Sequence, residues 1–204
     1  MKGCRALTQE EIELVKTFLR NDEETRYALR NYTLFMFMLY TGFRVSEVLS
    51  INVKDVYNIA NGMVSSYVYL KKSNTKKKTE GRSIGLNEKI CADLKTYIET
   101  CDLHTQARIN RNTPLFPSTR NPTFPLTRVA VHKVLKKAFN AVGLSGKLAC
   151  HTTRKSFATR VSESCDGNLM TIKEAMGHRQ ISSTACYLSV EQKKIDGIIS
   201  DFNF

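Results

Sequence analysis

The sequence predicts an α+β fold that is mainly helical and carries a small three-stranded antiparallel sheet. Apolar residues recur at the helical period over most of the chain, which predicts amphipathic helices. Between residues 52 and 86 the period changes towards two, and Asn61-Gly62 is typical of a tight hairpin. The 204 residues are enough for one good core, so we predict a single domain over residues 1–204.

Two helices are predicted at the start of the chain. Thr8 can cap the first helix, and Glu11 completes a capping box with it. A nearly all-apolar helix then runs from Arg26 to Tyr40. It is predicted to end at Gly42, because glycine adopts the left-handed conformation that terminates helices.

A short third helix is predicted around Arg44 and Glu47, with Arg44 in its first turn. An arginine there opposes the helix dipole, so another group must hold it. Two interpretations are open. The pair is either a simple ion pair worth about 0.2–0.5 kcal/mol, or Glu47 orients Arg44 to bind an anion.

Three strands are predicted next, from Val53 to Ile59, from Val64 to Lys72 and from Arg82 to Leu86. Alternation along the second strand places Val68, Leu70 and Lys72 on one face. Lys72 is therefore expected to point inward and Lys71 outward. The tip between the last two strands is strongly basic and is expected to contact a nucleic-acid backbone through Lys71, Lys76, Lys77 and Lys78.

The rest of the chain is predicted to be helical, apart from an irregular segment from His104 to Pro125. An Asn-capped helix precedes this segment, and a helix capped by Thr127 follows it. Lys133 and Lys136 lie on the outer faces of the second helix, where they could contact phosphates. Helices are then expected at about residues 152–164 and at 169–176.

The charge of the chain indicates a polyanionic partner. Lys and Arg number 31 against 19 Asp and Glu, giving a net charge of +12, which favours nucleic acid. The longest apolar run, Thr33 to Tyr40, is far shorter than the roughly 20 residues of a membrane span. No apolar signal core follows the N-terminal residues, so we expect a cytoplasmic protein. The six cysteines lack CxxC or zinc spacing, so we expect free thiols and no metal, and we expect no other cofactor.

A candidate site lies in the last third of the chain. His151 and Arg154 are three residues apart and share a helix face. His178 and Tyr187 follow within 37 residues of His151. Cationic and donor groups beside a tyrosine suit an anion such as a phosphodiester, with the phenol as a possible nucleophile.

Three stretches together resemble the catalytic boxes of the tyrosine recombinases, the phage integrase family. They are Thr41-Gly-Phe-Arg44-Val-Ser-Glu47, His151-Thr-Thr-Arg154-Lys-Ser-Phe-Ala-Thr159, and Met176-Gly-His178 followed by Tyr187. Their order and spacing agree with the family, and the resemblance covers roughly residues 7–190. It implies the catalytic fold of that family and a DNA strand transferase that works through a 3′-phosphotyrosyl intermediate.

The resemblance implies a role for each matching residue. Two arginines would clamp the scissile phosphate, a histidine would donate a hydrogen bond or transfer a proton, and a glutamate would support the first arginine. A second histidine would occupy the position that the family fills with His or Trp. A lysine would be the general acid and a tyrosine the nucleophile. Arg44 and Arg154 would be the clamp, His151 the donor, Glu47 the supporting glutamate and His178 the second histidine. Lys72 would be the general acid and Tyr187 the nucleophile.

The sequence departs from the family pattern in three ways. Lys155, a candidate DNA contact, stands where many members carry a second histidine. The long hairpin leaves Lys71, Lys76 and Lys78 as rivals to Lys72 for the general acid. The N-terminal domain that usually completes the DNA clamp is expected to be absent, so the chain is either a catalytic fragment or a short member of the family.

The resemblance also implies partners. We expect double-stranded DNA, a homo-tetramer on that DNA, possible accessory DNA-bending proteins, and a C-terminal tail of about residues 189–204 that can dock on a neighbouring protomer. Two other functions stay open. One is a nicking and closing activity like that of type IB topoisomerases, and the other is a DNA-binding regulator with an idle site.

Overall fold

The structure, a computed structural model, describes residues 3–74, 81–101, 112–178, 180 and 182–185, without the side chains of Ser183 and Ala185. The chain divides into two compact units, Met1–Phe157 and Ala158–Phe204. The single-domain organisation expected from the sequence stays a prediction.

The first unit begins with three helices, α1 (Gln9–Arg20), α2 (Ala28–Thr41) and α3 (Val45–Val48). The predicted capping box of α1 is confirmed. Thr8 Oγ1 accepts the Glu11 N–H at 3.2 Å, and Glu11 Oε2 accepts the Thr8 N–H at 2.9 Å. The helix therefore starts where its sequence predicts.

Helix α2 lies in the middle of the core. Its apolar side chains are buried around the helix, which explains why the sequence there is almost uniformly apolar. The helix ends at Gly42, whose φ of 59° is left-handed, as predicted. A Cβ on Gly42 would collide with the ring of Phe157. Glycine is therefore required at this position both for its conformation and for its small size.

Two small antiparallel hairpins follow. Strand β1 (Tyr57–Asn58) pairs with β2 (Met63–Val64), and β3 (Tyr67–Leu70) pairs with β4 (Arg82–Gly85). The hairpin predicted at Asn61-Gly62 is confirmed. The expectation of one three-stranded sheet is wrong, because the described strands form two separate two-stranded sheets.

Local hydrogen bonds explain this difference. Asp55 Oδ2 accepts the Asn52 N–H at 2.9 Å, which folds Val53–Asp55 into a 3₁₀ turn instead of a strand. After β2 the chain leaves its ladder, and the N–H of Leu86 bonds to the Ser66 carbonyl at 2.7 Å. The predicted second strand is thus divided into β2 and β3.

The strand that was predicted to run to Lys72 ends earlier, so the alternation does not determine which way Lys72 points. Val68 and Leu70 are fully buried, as the alternation predicted, but the strand ends at Leu70. Lys72 instead begins a 3₁₀ turn, Lys72–Asn74, in which the Asn74 N–H bonds to the Lys71 carbonyl at 2.9 Å. Lys72 is exposed, and so is Lys71, which was expected to face outward.

Helices α4 (Glu88–Thr100) and α5 (Arg128–Ala141) complete the outer part of this unit. Asn87 and Thr127 cap them as predicted, with Oδ1 accepting the Ile90 N–H at 3.1 Å and Oγ1 accepting the Ala130 N–H at 3.1 Å. The described part of the segment between them is irregular and is joined to the core by an isolated bridge between Asn52 and Pro114.

Helix α6 (Cys150–Ser164) carries the boundary between the two units. Its first turns are fixed within the first unit through Ser156. The Ser156 hydroxyl donates to the Thr152 carbonyl at 3.0 Å and accepts the Leu7 N–H at 2.9 Å. The segment before α1 therefore helps to hold the part of α6 that carries His151 and Arg154.

The second unit contains the rest of α6, then α7 (Leu169–Met176) and the short α8 (Ser182–Ala185). Asn168 caps α7, and Gly177 ends it with a φ of 61°, so the helix predicted at residues 169–176 is confirmed. Among the described residues of either unit, no helix combines the length and apolar character needed to cross a membrane.

Candidate active site

A cavity of about 1000 Å³ lies in the first unit, where α3, the β3–β4 hairpin, α5 and the start of α6 come together. It includes three of the predicted catalytic residues, Arg44, His151 and Arg154. The first and the last of them are 110 positions apart along the sequence. The described residues that line it are Phe43, Arg44, Val45, Ser46, Asn74, Arg128, Val129, His132, Ala149, Cys150, His151 and Arg154.

Arg44 is held by Glu47 through both its main chain and its side chain. Glu47 Oε2 accepts the Arg44 N–H at 2.8 Å, and Glu47 Oε1 accepts from Arg44 Nη1 at 2.7 Å. Arg44 is thus the N-cap of α3 and not a member of its first turn. The Glu47 side chain is only 1% exposed, so this pair differs from a solvated surface ion pair, and the structure favours an oriented arginine.

A third arginine, Arg82 on β4, shares the Glu47 carboxylate. Arg82 Nη2 lies 3.5 Å from Glu47 Oε2, and its guanidinium carbon lies 4.8 Å from the centre of the Phe43 ring. Burial, together with the charges of Arg154 and Arg44, lowers the pKa of Arg82 to about 10 against the opposing effect of Glu47. Several positive charges are therefore concentrated around one buried carboxylate.

Arg154 is buried at the other wall of the cavity. Only 1% of its surface is exposed, and its Nη1 donates to the Gly42 carbonyl at 2.5 Å. The left-handed turn at Gly42 presents that carbonyl to the arginine. Gly42 and Arg154 therefore connect the first catalytic box to the second.

His151 lies at the start of α6 and lines the same cavity. Although part of its side chain is exposed, its pKa is lowered, first by desolvation from the surrounding protein and then by the neighbouring charges of Arg154, Arg44 and Lys155. The lowered pKa favours the neutral ring at pH 7. A neutral imidazole has one N–H donor and one acceptor, so His151 can both donate a hydrogen bond and exchange a proton.

The hairpin lysines are only partly described. Lys71 is exposed, with its Nζ 3.7 Å from Asp55 Oδ1, and Lys72 lies in the turn before Asn74, which lines the cavity. The turn after β3 therefore approaches the arginines even though Lys72 does not continue the strand. The other candidates of this tip, Lys76, Lys77 and Lys78, lie outside the described residues.

The other predicted site residues lie elsewhere in the chain, and the structure describes all of them except Tyr187. His178 belongs to the second unit, where its Nδ1 lies 3.0 Å from the buried Thr184 Oγ1. Tyr187 lies outside the described residues. Lys133 and Lys136 are exposed on α5, and Lys155 is half-buried on α6.

Arg82 was missed by reasoning from the sequence, although a signal was present. Residues directly paired in an antiparallel sheet share a face, and Arg82 pairs with the buried Leu70. An arginine on the core-facing side of a strand requires a partner, and Glu47 is that partner. Arg128 and His132, which line the cavity from α5, were also not assigned to the site, since only the folded chain brings α5 beside α3.

The chemistry available at this cavity is stabilisation of an anion. Arg44 and Arg154 present fixed, permanently charged donors to the cavity, which match phosphate oxygens well. Among the residues that the structure describes, no three metal-ligating side chains come together. The arginines can themselves supply charge that stabilises a phosphorane.

Comparison with known proteins agrees with this geometry. The model of the phage integrase family matches residues 5–194. The chain belongs to that family. Its mainly helical fold with small antiparallel sheets is the fold of the family's catalytic domains.

Several tyrosine recombinases are similar to the chain. The XerD recombinase of Staphylococcus saprophyticus is 31% identical over 174 residues, covering 85% of this chain and 55% of that protein. XerD of Oceanobacillus iheyensis is 27% identical over 197 residues, covering 97% of this chain and 61% of that protein. The chain thus spans little more than half the length of these relatives.

A relative of comparable length also exists. The probable integrase/recombinase YoeC of Bacillus subtilis is 27% identical over 183 residues, and the match covers 90% of this chain and 87% of that protein. Chains of about this size therefore occur within the family.

Solved structures share the fold. A complex of the XerH site-specific recombinase with a palindromic difH substrate, after cleavage, has a TM-score of 0.75 at 24% identity, covering 96% of this chain and 52% of the XerH chain. The catalytic domain of bacteriophage HP1 integrase has a TM-score of 0.57 at 16% identity, covering 95% of this chain and 94% of that domain. At these identities the likeness shows the fold alone.

Proposed function

We propose that this chain is the catalytic part of a site-specific DNA recombinase, which cleaves and rejoins DNA strands through a covalent 3′-phosphotyrosyl intermediate. The observation that carries the proposal is the convergence of Arg44, His151 and Arg154 on one cavity. The family model also extends to residue 194 and so includes Tyr187.

In this mechanism Tyr187 attacks the scissile phosphorus and the 5′-hydroxyl leaves. A free tyrosine has a pKa of about 10, so its ionisation at pH 7 costs on the order of 4 kcal/mol. Neighbouring cations lower that cost and stabilise the charge that develops on the phosphorane. In the proposal Arg44 and Arg154 supply this charge. Hydrogen bonds to Glu47 and to the Gly42 carbonyl fix the two arginines at the cavity wall, which supports this assignment.

The other residues would act around this phosphate. His151, with its lowered pKa, would donate a hydrogen bond to the phosphate or transfer a proton, and His178 would assist from the second unit. Glu47 would keep Arg44 oriented. A lysine of the hairpin would protonate the leaving 5′-oxygen, and Lys72 is our first choice because its turn leads directly to Asn74 at the cavity.

Double-stranded DNA is the proposed substrate, supported by the net charge of +12, and a cytoplasmic location is proposed with it. The hairpin lysines, with Lys133, Lys136 and Lys155, are proposed to contact its phosphates. We further propose a synaptic homo-tetramer and, where the DNA must bend, accessory bending proteins. Since phosphate contacts release counterions, binding should weaken steeply as salt rises.

A covalent-trapping experiment tests the function. A pool of nicked duplexes with randomised half-sites is incubated with the wild-type chain and with Tyr187→Phe, and the products are separated on a denaturing gel. The proposal expects a slow-migrating protein–DNA adduct with wild type and none with Tyr187→Phe. Sequencing the trapped DNA would then identify the target.

The alternatives give different results in the same experiment. A nicking and closing enzyme would form the adduct and relax supercoiled plasmid, but it would not exchange strands between two labelled duplexes. A regulator with an idle site would shift the migration of DNA on a native gel and form no adduct. A shift on the native gel without any adduct, obtained with DNA that the protein binds, would contradict the proposal.

A further inference from the structure

We propose that Arg82 is a positioning residue for the reaction, which keeps the charge of Arg44 available to the scissile phosphate by sharing the Glu47 carboxylate. The inference rests on the proposed function and assigns a role to a residue outside the predicted catalytic set. It comes from the contacts around Glu47.

The Glu47 carboxylate is fully engaged. One oxygen accepts from the Arg44 guanidinium at 2.7 Å, and the other accepts the Arg44 N–H at 2.8 Å and lies 3.5 Å from Arg82 Nη2. Glu47 is 1% exposed and the Arg82 side chain is 11% exposed. Water therefore does little to screen this cluster, and its net charge is felt at short range.

The charge balance shows what Arg82 contributes. With Arg82 present, two guanidinium groups face one carboxylate, and the three groups carry a net charge of +1. Without Arg82, Arg44 and Glu47 would neutralise each other. An anion approaching Arg44 would then meet an internal ion pair at that point of the cavity, and Arg44 would have to weaken its bond to Glu47 in order to bind phosphate.

Arg82 acts through its neighbours and not by direct contact. Arg44, His151 and Arg154 line the cavity, whereas Arg82 is not among the described residues that do. Its guanidinium carbon lies 4.8 Å from the centre of the Phe43 ring. Phe43 immediately precedes Arg44, so this stacking also supports the main chain that carries the catalytic arginine.

The position of Arg82 on β4 adds a second connection. Arg82 pairs with Leu70 at the end of β3, immediately before the turn that carries Lys72. The contact between Arg82 and Glu47 therefore joins the hairpin of the candidate general acid to α3, the short helix that Arg44 caps.

The test uses Arg82→Met, which removes the charge and keeps an unbranched side chain, and Arg82→Lys, which keeps the charge. Arg20→Met is the matched control, because Arg20 also stacks on an aromatic ring, Tyr32 at 5.1 Å, but belongs to α1. Single-turnover rates of adduct formation are measured on saturating nicked DNA. We expect Arg82→Met to be slower than wild type by about 10-fold or more, Arg82→Lys to recover part of the rate, and Arg20→Met to equal wild type.

A double-variant cycle separates positioning from a general loss of structure. In a Glu47→Gln background the shared carboxylate is absent, so Arg82→Met should cost much less than it does in wild type. Fully additive losses would overturn the inference, as would an Arg82→Met rate equal to that of wild type.

A second readout does not depend on cleavage. The ¹⁵N resonance of the Arg44 Nε is followed by NMR in the DNA-free chain. Arg82→Met should shift this resonance and Arg20→Met should leave it in place; an unchanged Arg44 signal in Arg82→Met overturns the inference. If the wild-type chain forms no adduct, that result counts against the proposed function, and the NMR comparison alone decides the role of Arg82.

Discussion

Two glutamates in the first unit occupy the same local position and serve different ends. Glu11 and Glu47 are each the third residue of a helix, and each accepts the N–H of the N-cap residue. Each also binds an arginine, because Arg5 donates to both oxygens of Glu11 at 2.6 and 2.7 Å. The difference is burial: the Glu11 side chain is 19% exposed and that of Glu47 is 1% exposed.

This difference teaches that a local motif does not determine its own role. At Glu11 the arginine joins the segment before α1 to the loop before α6, since Arg5 Nε also donates to the Ser145 carbonyl at 2.9 Å. At Glu47 a second arginine and a cavity are added to the same motif. One motif stabilises a helix start, and the other holds a cationic group where an anion can reach it.

The largest contrast should follow substitution of the two glutamates. Glu47→Gln removes a buried carboxylate and leaves two partly buried arginines without it, so we expect adduct formation to slow by about 10²-fold and the free energy of unfolding to fall by about 3–5 kcal/mol. Glu11→Gln should leave the rate unchanged and cost about 0.5–1 kcal/mol. Single-turnover cleavage and urea unfolding measure both, and equal effects on the rate would contradict the comparison.

A smaller effect is expected from the glycine that connects the two arginines. Gly42→Ala must adopt a left-handed φ of 59° and also meets the Phe157 ring, so we expect a loss of about 2–4 kcal/mol. Gly143→Ala is the matched control, with a φ of 70° and open space around it, and should lose about 1 kcal/mol. Urea unfolding measures the two losses. Equal values would mean that the contact with Phe157 is easily relieved.

The titration of His151 should report the cationic surroundings of the cavity. Its pKa in the DNA-free chain should lie below the ordinary 6.5, and Arg44→Ala should raise it by removing a neighbouring positive charge. Arg5→Ala should leave it unchanged, since that arginine belongs to the Glu11 cluster. NMR of the His151 ring protons measures the midpoint in each variant. A midpoint insensitive to Arg44→Ala would show that the two groups do not interact.

The smallest effect concerns acid stability at the Glu11 cluster. Arg5 lowers the pKa of Glu11, chiefly through their hydrogen bond. A lowered carboxyl pKa contributes stability that is fully present above the ordinary value of 4.5 and is lost as the pH falls through the lowered value. Arg5→Met should therefore cost about 0.5–1 kcal/mol near pH 7 and less near pH 3. A difference that does not change with pH would contradict this account of the pair.

Much of the fold followed from local sequence signals. The capping residues, the left-handed glycines after α2 and α7, and the buried faces of α1, α4 and α5 are each set by a few neighbouring residues. These features depend on backbone conformation and periodicity. They could be predicted without knowledge of the tertiary structure.

Two other features were not predicted, one set by a local turn and one by a tertiary contact. The early end of β3 at Leu70 results from a turn closed by the Lys71 carbonyl, and this removed Lys72 from the face that alternation gave it. Arg44 and Arg82 share the Glu47 carboxylate, although Arg82 follows Glu47 by 35 positions in the sequence. Only the pairing of β4 with β3 brings the second arginine to that carboxylate.

The claim that Arg154 and Arg44 form one phosphate-binding centre is tested most directly by Arg154→Ala. Its single-turnover rate of adduct formation is compared with that of wild type on the same saturating nicked DNA, and DNA affinity is measured in parallel. The account predicts a rate lower by about 10²–10³-fold with little change in affinity, because Arg154 acts on one phosphate among many contacts. A variant that binds DNA and forms the adduct as fast as wild type would contradict it.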